Sequence, residues 1–296
     1  MKYRFLGNTG LLVSQLSFGS FVTFNTQLDF ENSYAVMERA FKRGVNFFDT
    51  AEAYAGGQSE EFMGKIIATG VERGVWTRED LVVSTKIFFG TKHGGDQKAG
   101  PNEQGLSRKH IVEGTKASLK RLGLEYVDTI FCHRPDPCTP IEETVRAMNF
   151  VIKQGWAFYW GTSEWSAHDI IEACEIADRL GLVRPGSRLS MSSYMNYVAD
   201  GFDTKVAKAD KLAAIAKEIG CTLAQLAIAW CVSNEKVSTV ILGASSVAQL
   251  DENLDSLKFV DMLTPEIRAR IDHVASVSLR LPPPEARLLV MRKQWL

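Results

Sequence analysis

Asp49, Tyr54, Lys86 and His133 are the four side chains whose types and positions suggest chemistry. Three of them stand at the end of a short apolar run: "NFFDT" (46–50) reaches Asp49, "LVVSTK" (81–86) reaches Lys86 and "VDTIFCH" (127–133) reaches His133. Tyr54 follows Asp49 by five residues. Taken singly, each has a plainer explanation: a helix-capping carboxylate, a loop aromatic, a solvated strand end, a structural histidine. Taken together they fit proton transfer paired with hydride transfer. A phenol has a reference pKa of ~10, too high for an efficient acid near neutrality. A neighbouring ammonium favours the phenolate and lowers that value. A buried lysine in turn needs a carboxylate partner to stay charged. Asp49 is therefore expected to support Lys86, Lys86 to lower the pKa of Tyr54, and His133 to hydrogen-bond a substrate carbonyl oxygen.

Such residues meet only if the strand ends carrying them lie on one face. Short apolar runs at 16–21, 46–50, 81–86, 127–133, 157–163 and 238–245 alternate with amphipathic helices near 31–43, 60–68, 108–121, 141–154 and 167–180. This alternation predicts a parallel sheet buried on both faces. In a barrel built from such units the carboxyl ends of all strands share one face, where the site is assembled. Gly44, Gly123, Gly155 and Gly181 are expected just past helix ends, and Ser107, Thr139 and Ser166 as N-caps. A hairpin with "GNTG" (7–10) as its turn precedes the first barrel strand, and helices near 206–219, 222–234, 247–256 and 265–274 fill the C-terminal part. No Pro/Ser-rich linker divides the chain, so residues 1–296 read as one domain.

Composition narrows the functions. The chain has 296 residues, 45% hydrophobic and 23% charged, with a formal net charge of −1, the profile of a soluble globular protein. That balance gives no electrostatic argument for nucleic acid or an anionic membrane. No apolar run approaches the ~20 residues needed to span a bilayer, and "MKYRFLGNTG" has no signal-peptide core. Cys132, Cys138, Cys174, Cys221 and Cys231 form no C-x-x-C pair and are expected to be reduced thiols of a cytoplasmic protein.

Several longer stretches carry a resemblance: "FDTAEAYAGGQSE", "STKIFFG", "GLSRKHI", "LEYVDTIFCHRPDPCTPIEETVRAM", "YWGTSEWS", "LAIAWCVSN" and "ILGASSVAQLDENL". The chain resembles the aldo-keto reductases, in particular the branch that includes voltage-gated potassium channel β subunits. The resemblance implies a (β/α)8 barrel that binds NADPH/NADP+, with Asp49, Tyr54, Lys86 and His133 as its catalytic tetrad. It further implies cofactor contacts from Gly19, Ser20, Phe21 and Gln27 at the first strand, and from Asp49. Ser163 would bind the nicotinamide carboxamide, with Glu164 where the family more often has a polar or basic residue. Gly243, Ser245, Gln249, Glu252 and Asn253 would serve the adenosine phosphate. No metal is implied. Animal channel subunits carry asparagine where this chain has His133, so the complete tetrad favours working chemistry.

The strand count falls short of eight. Ser163 and Ser245 are 82 residues apart, and helices claim most of 166–234. Between them only "LSMSSYMNYV" (189–198) alternates, and weakly. The expectation is therefore an incomplete barrel of six strands, at most seven, with strands six and seven of the family largely missing. Against the family pattern, Pro185 runs into "GSRLS" as though a segment were deleted near 185–186. Arg188 remains as a contact for the cofactor's 2′-phosphate.

Two functions follow from the resemblance. One is NADPH-dependent reduction of aldehydes or ketones to alcohols, with Tyr54 as general acid. The other is a regulatory protein that partners a channel and uses NADP(H) as a redox sensor, in a branch that forms tetramers. A truncated, inactive form is the third possibility. The loop "KHGGDQKAGPNEQG" (92–105) is expected to line the substrate pocket, without naming the substrate.

Overall fold

The structure, a computed structural model, describes residues 1–21, 28–92, 98–189 and 202–275, and the side chains of all of these except 187–189 and 202–205. An antiparallel hairpin, β1 (Tyr3–Phe5) and β2 (Leu12–Ser14), comes first. The strands of the main sheet follow: β3 (Leu16–Gly19), β4 (Phe47–Asp49), β5 (Val82–Ile87), β6 (Val127–Cys132), β7 (Ala157–Ser163), β8 (Ser187–Leu189) and β9 (Val240–Leu242). The helices are α1 (Phe30–Lys42), α2 (Gln58–Glu72), α3 (Arg108–Leu122), α4 (Ile141–Lys153), α5 (Ala167–Arg179), α6 (Phe202–Ile219), α7 (Leu223–Ser233), α8 (Val247–Leu254) and α9 (Pro265–Ala275).

The seven strands lie in the order β8-β7-β6-β5-β4-β3-β9, and every neighbouring pair is parallel. This is a partial barrel. Among the described residues β8 and β9 are its two edges, with no pairing between them. The seventh strand falls at 187–189 and touches the expected 189–198 segment only at Leu189; residues 190–198 lie outside the described residues.

Strand alternation sorts each run into two layers. Phe18, Phe48, Val83, Ile87, Ile130, Cys132 and Trp160 face outward and form the main core with Val36, Met37, Met63, Ile66, Ile111, Val145 and Met148 of the helices. Burying each such side chain is worth about 1.5–3 kcal/mol. On the opposite face, Phe47 and Val82 pack on Leu6 and Val13 of the hairpin, which plugs that end of the sheet. Asp49, two residues beyond Phe47, shares its face by the period of two. Ser84 and Lys86 share the face of Val82 in the same way.

Helix ends follow the local chemistry in most places. Asp29, Ser107 and Ser166 accept from the amides of Asn32, His110 and Asp169. Thr139 does not cap α4, contrary to expectation. Its hydroxyl donates to Asp136 at 2.8 Å, and Pro140 occupies the cap position, with no side-chain capping bond. Among the described residues no single helix is long and apolar enough to cross a membrane. Only taken together, as a pair bent by 85°, do α6 and α7 reach such a length and apolarity, and their Ile215, Ala216, Ile219, Leu226 and Ala229 are buried against Leu263 and Ile271.

Candidate active site

Lys86 is the centre of the predicted cluster and is fully buried. Its ammonium contacts the Asp49 carboxylate, donates to the Thr50 carbonyl at 2.8 Å and donates to Tyr54 Oη at 3.1 Å. Register explains the meeting: Asp49 of β4 is the lateral partner of Ser84 on β5, two residues before Lys86. Ser84 Oγ donates to the other Asp49 oxygen at 2.6 Å, which turns the carboxylate toward the lysine. Both Asp49 oxygens are thus engaged within the protein, and the residue is only 2% exposed.

Tyr54 begins a single-turn helix, Tyr54–Gly57, in which Ala55, Gly56 and Gly57 all have positive φ. That tight turn lets the chain double back from the end of β4 so that the phenol returns over Lys86. The Tyr54 ring lies 5.7 Å from that of His133, nearly edge-on, and 4.8 Å from the half-exposed ring of Phe21. His133, just past β6, is held by its amide to the Ile87 carbonyl at 3.1 Å and packs against Phe89. The structure therefore brings all four predicted side chains together.

Electrostatics corrects one expectation. Burial raises the Tyr54 pKa above its ordinary value of 10.0, and the opposing Lys86 charge does not overcome it. For Lys86, burial favours the neutral amine, but the Asp49 and Tyr54 charges and hydrogen bonds outweigh that, so its pKa is raised above 10.5. The pair therefore rests as ammonium and neutral phenol. An ammonium is donor-only, so Tyr54 oxygen accepts from Lys86 and keeps its own hydrogen for another acceptor.

The expected cofactor residues separate into groups. Gly19 is the lateral partner of Asp49, where a Cβ would stand 2.7 Å from Ile241 Cγ2. The Ser20 hydroxyl accepts from Ser59 at 2.7 Å and its amide donates to the Asp49 backbone carbonyl at 2.9 Å. Gln27 lies outside the described residues, and for Arg188 only the backbone is described, opposite Thr162. Ser163 is fully buried, and its Oγ has no hydrogen-bond partner among the described residues. A hydroxyl buried without a partner at the end of β7 fits a carboxamide, which both donates and accepts. At the far end, Gln249 Oε1 accepts from the amide and hydroxyl of Ser245 at 2.7 and 3.1 Å. Asn253 donates to the Gly243 carbonyl at 3.2 Å. These bonds shape the turn into α8, where Ser246 Oγ caps the helix by accepting from the Gln249 amide at 3.1 Å; Glu252 is exposed there.

Apart from Glu164, the remaining polar residues around the site gave no sequence signal. Arg134 pairs with Glu164 at 3.3 Å, joining the residues that follow His133 and Ser163, and stands 5.5 Å from the Phe89 ring. Glu164 takes a left-handed φ of 56°, uncommon for a side chain other than glycine. Behind the Tyr54 turn, Glu52 pairs with His110, and Glu60 with Arg121. Burial raises the Glu60 pKa despite Arg121. All five cysteines are free thiols; burial raises the Cys132 pKa, so that thiol is held neutral.

A partial parallel barrel with an aspartate, tyrosine, lysine and histidine gathered at its strand ends is the architecture of one class of protein. The Aldo/keto reductase family profile matches residues 15–191 and 182–276, and the chain belongs to that family. It is 44% identical to an Arabidopsis thaliana protein named "Probable voltage-gated potassium channel subunit beta", across 95% of this chain and 99% of the relative. An Oryza sativa subsp. japonica protein of the same name is 43% identical, across 93% of this chain and 96% of the relative. The first alignment spans 335 positions, more than the 296 residues of this chain, so that relative has residues without counterparts here.

Proposed function

We propose that the protein reduces aldehydes or ketones to alcohols with NADPH, Tyr54 acting as general acid. The observation carrying this reading is the buried Asp49–Lys86–Tyr54 chain, in which the phenol keeps its proton and its oxygen is already hydrogen-bonded by an ammonium. NADPH, when bound, supplies the hydride for the carbonyl carbon. Ser163 would hold its carboxamide, and Gly243, Ser245, Gln249, Glu252 and Asn253 its adenosine phosphate. Gly19, Ser20, Phe21, Gln27, Asp49, Glu164 and Arg188 complete the proposed contacts.

The substrate oxygen sits between Tyr54 and His133 in this reading. As negative charge grows on that oxygen, Tyr54 transfers its proton to it, and the phenolate left behind is stabilised by Lys86. Lys86 stays charged because Asp49 faces it, and Asp49 stays oriented because Ser84 holds its other oxygen. His133 donates a hydrogen bond to the same substrate oxygen. The surroundings exclude water, which strengthens each of these interactions. The two family matches overlap at 182–191, and we place the segment missing relative to the relatives at Pro185–Gly186.

A second reading is favoured by the names of the two relatives: a regulatory subunit that binds a channel, as a homo-oligomer, and senses NADP(H). The two readings part on turnover. NADPH oxidation by the purified chain with a panel of aldehydes, followed by absorbance, supports reduction. Tight NADPH binding with no turnover on any carbonyl would leave the sensor.

A further inference from the structure

We propose that Glu52 is the positioning residue of this site, holding Tyr54 against Lys86 and Phe89 against His133 from behind. The proposal rests on the carbonyl-reduction reading. Glu52 stands between Asp49 and Tyr54 in the chain, is 2% exposed, and has no part in the proton path.

Its contacts tie three segments together. The Glu52 amide donates to the Lys86 carbonyl at 3.2 Å, which joins the Tyr54 turn to the end of β5. One carboxylate oxygen, Oε1, accepts from the Phe88 amide at 2.7 Å and the Gly90 amide at 2.8 Å, and lies 3.1 Å from His110 Nε2 on α3. Phe88 and Gly90 bracket Phe89, whose ring stands 5.2 Å from that of His133. Two residues after Glu52, the Tyr54 amide donates to the Ala51 carbonyl at 3.1 Å, so the phenol inherits the placement of this turn.

The pocket is built for a carboxylate. Two backbone amides and an imidazole converge on one oxygen, the arrangement that favours an anion. Burial works against the charge, but His110 and the two amides outweigh it, and the Glu52 pKa lies below its ordinary 4.5. Gly114 on α3 leaves the other oxygen its room: a Cβ there would stand 3.1 Å from Glu52 Oε2.

Two variants separate reach from charge. Glu52→Asp keeps the charge but is one methylene too short to span both amides. Glu52→Gln keeps the reach and gives up the charge. For kcat with a small aromatic aldehyde, E52D is expected to lose at least tenfold more than E52Q, since small misplacements cost up to ~10²-fold. The NADPH Kd should stay level in both. Hydrogen–deuterium exchange of segments 50–57 and 86–91 should be faster in E52D than in E52Q, a readout that needs no turnover. E52D turning over within threefold of the parent, or the reverse order in exchange, overturns the inference. Absence of turnover in the parent overturns the reductase reading instead, and exchange then decides the role of Glu52 alone.

Discussion

Lys86 Nζ and Tyr54 Oη are 3.1 Å apart, and the lysine's other contacts are the Asp49 carboxylate and the Thr50 carbonyl. All three ammonium hydrogens are therefore in use. Lys86 has no freedom to turn away from the phenol, and Tyr54 has no alternative to accepting from it.

Tyr54→Phe removes the donor proton and leaves the ring. Carbonyl reduction should fall by ~10²–10⁴-fold, the usual worth of a positioned acid. NADPH affinity should remain within a few-fold by fluorescence titration. Turnover close to that of the parent would take Tyr54 out of the role.

Lys86→Met leaves Asp49 as a buried charge facing a thioether. With Lys86 fully buried and Asp49 2% exposed, the cost is expected at about 3–5 kcal/mol. Denaturant unfolding at neutral pH measures it, and activity should be lost with it. Unchanged stability would mean that the charges do not depend on each other.

The pH profile follows from Tyr54. Its pKa is raised above 10.0, first by burial, and a general acid works only while protonated. With respect to this group, kcat/KM for reduction should be level through neutrality and decline only above pH 10. A basic limb that disappears in Tyr54→Phe yet has an apparent pKa below 9 would show that Lys86 dominates after all.

The edge strands give a fourth expectation. β8 and β9 are unpaired with each other among the described residues. A chain carrying the Arabidopsis thaliana relative's extra residues at Pro185–Gly186 should bind NADPH more tightly and melt more sharply. More of the cofactor would be enclosed, and the barrel wall would unfold as one unit. Equal affinity and equally sharp melts would show that the existing chain already completes the wall.

Much of this molecule was legible because its signals are local. Alternation in "NFFD", "LVVSTK" and "VDTIFCH" places Asp49, Lys86 and His133 on one face of parallel strands, since neighbouring side chains must point to opposite sides. Parallel order then puts those strand ends together. β8 was harder to see, because three residues are too few to carry a period. Thr139 misled because a hydroxyl three residues after an aspartate can bond to it instead of capping a helix.

Sequence by itself determined the order of strands and helices, which four side chains come together and, among the described residues, a parallel sheet short of eight strands. Tertiary structure alone decided which polar groups meet: the Ser84 hydroxyl with Asp49, Glu52 with His110 and the Phe88 amide, Glu60 with Arg121, Arg134 with Glu164. It also decided that Tyr54 rests as a phenol. Burial and the fields of Lys86, Asp49 and Arg134 act on one oxygen from separate strands and loops, and their sum depends on distances in space that no local pattern encodes.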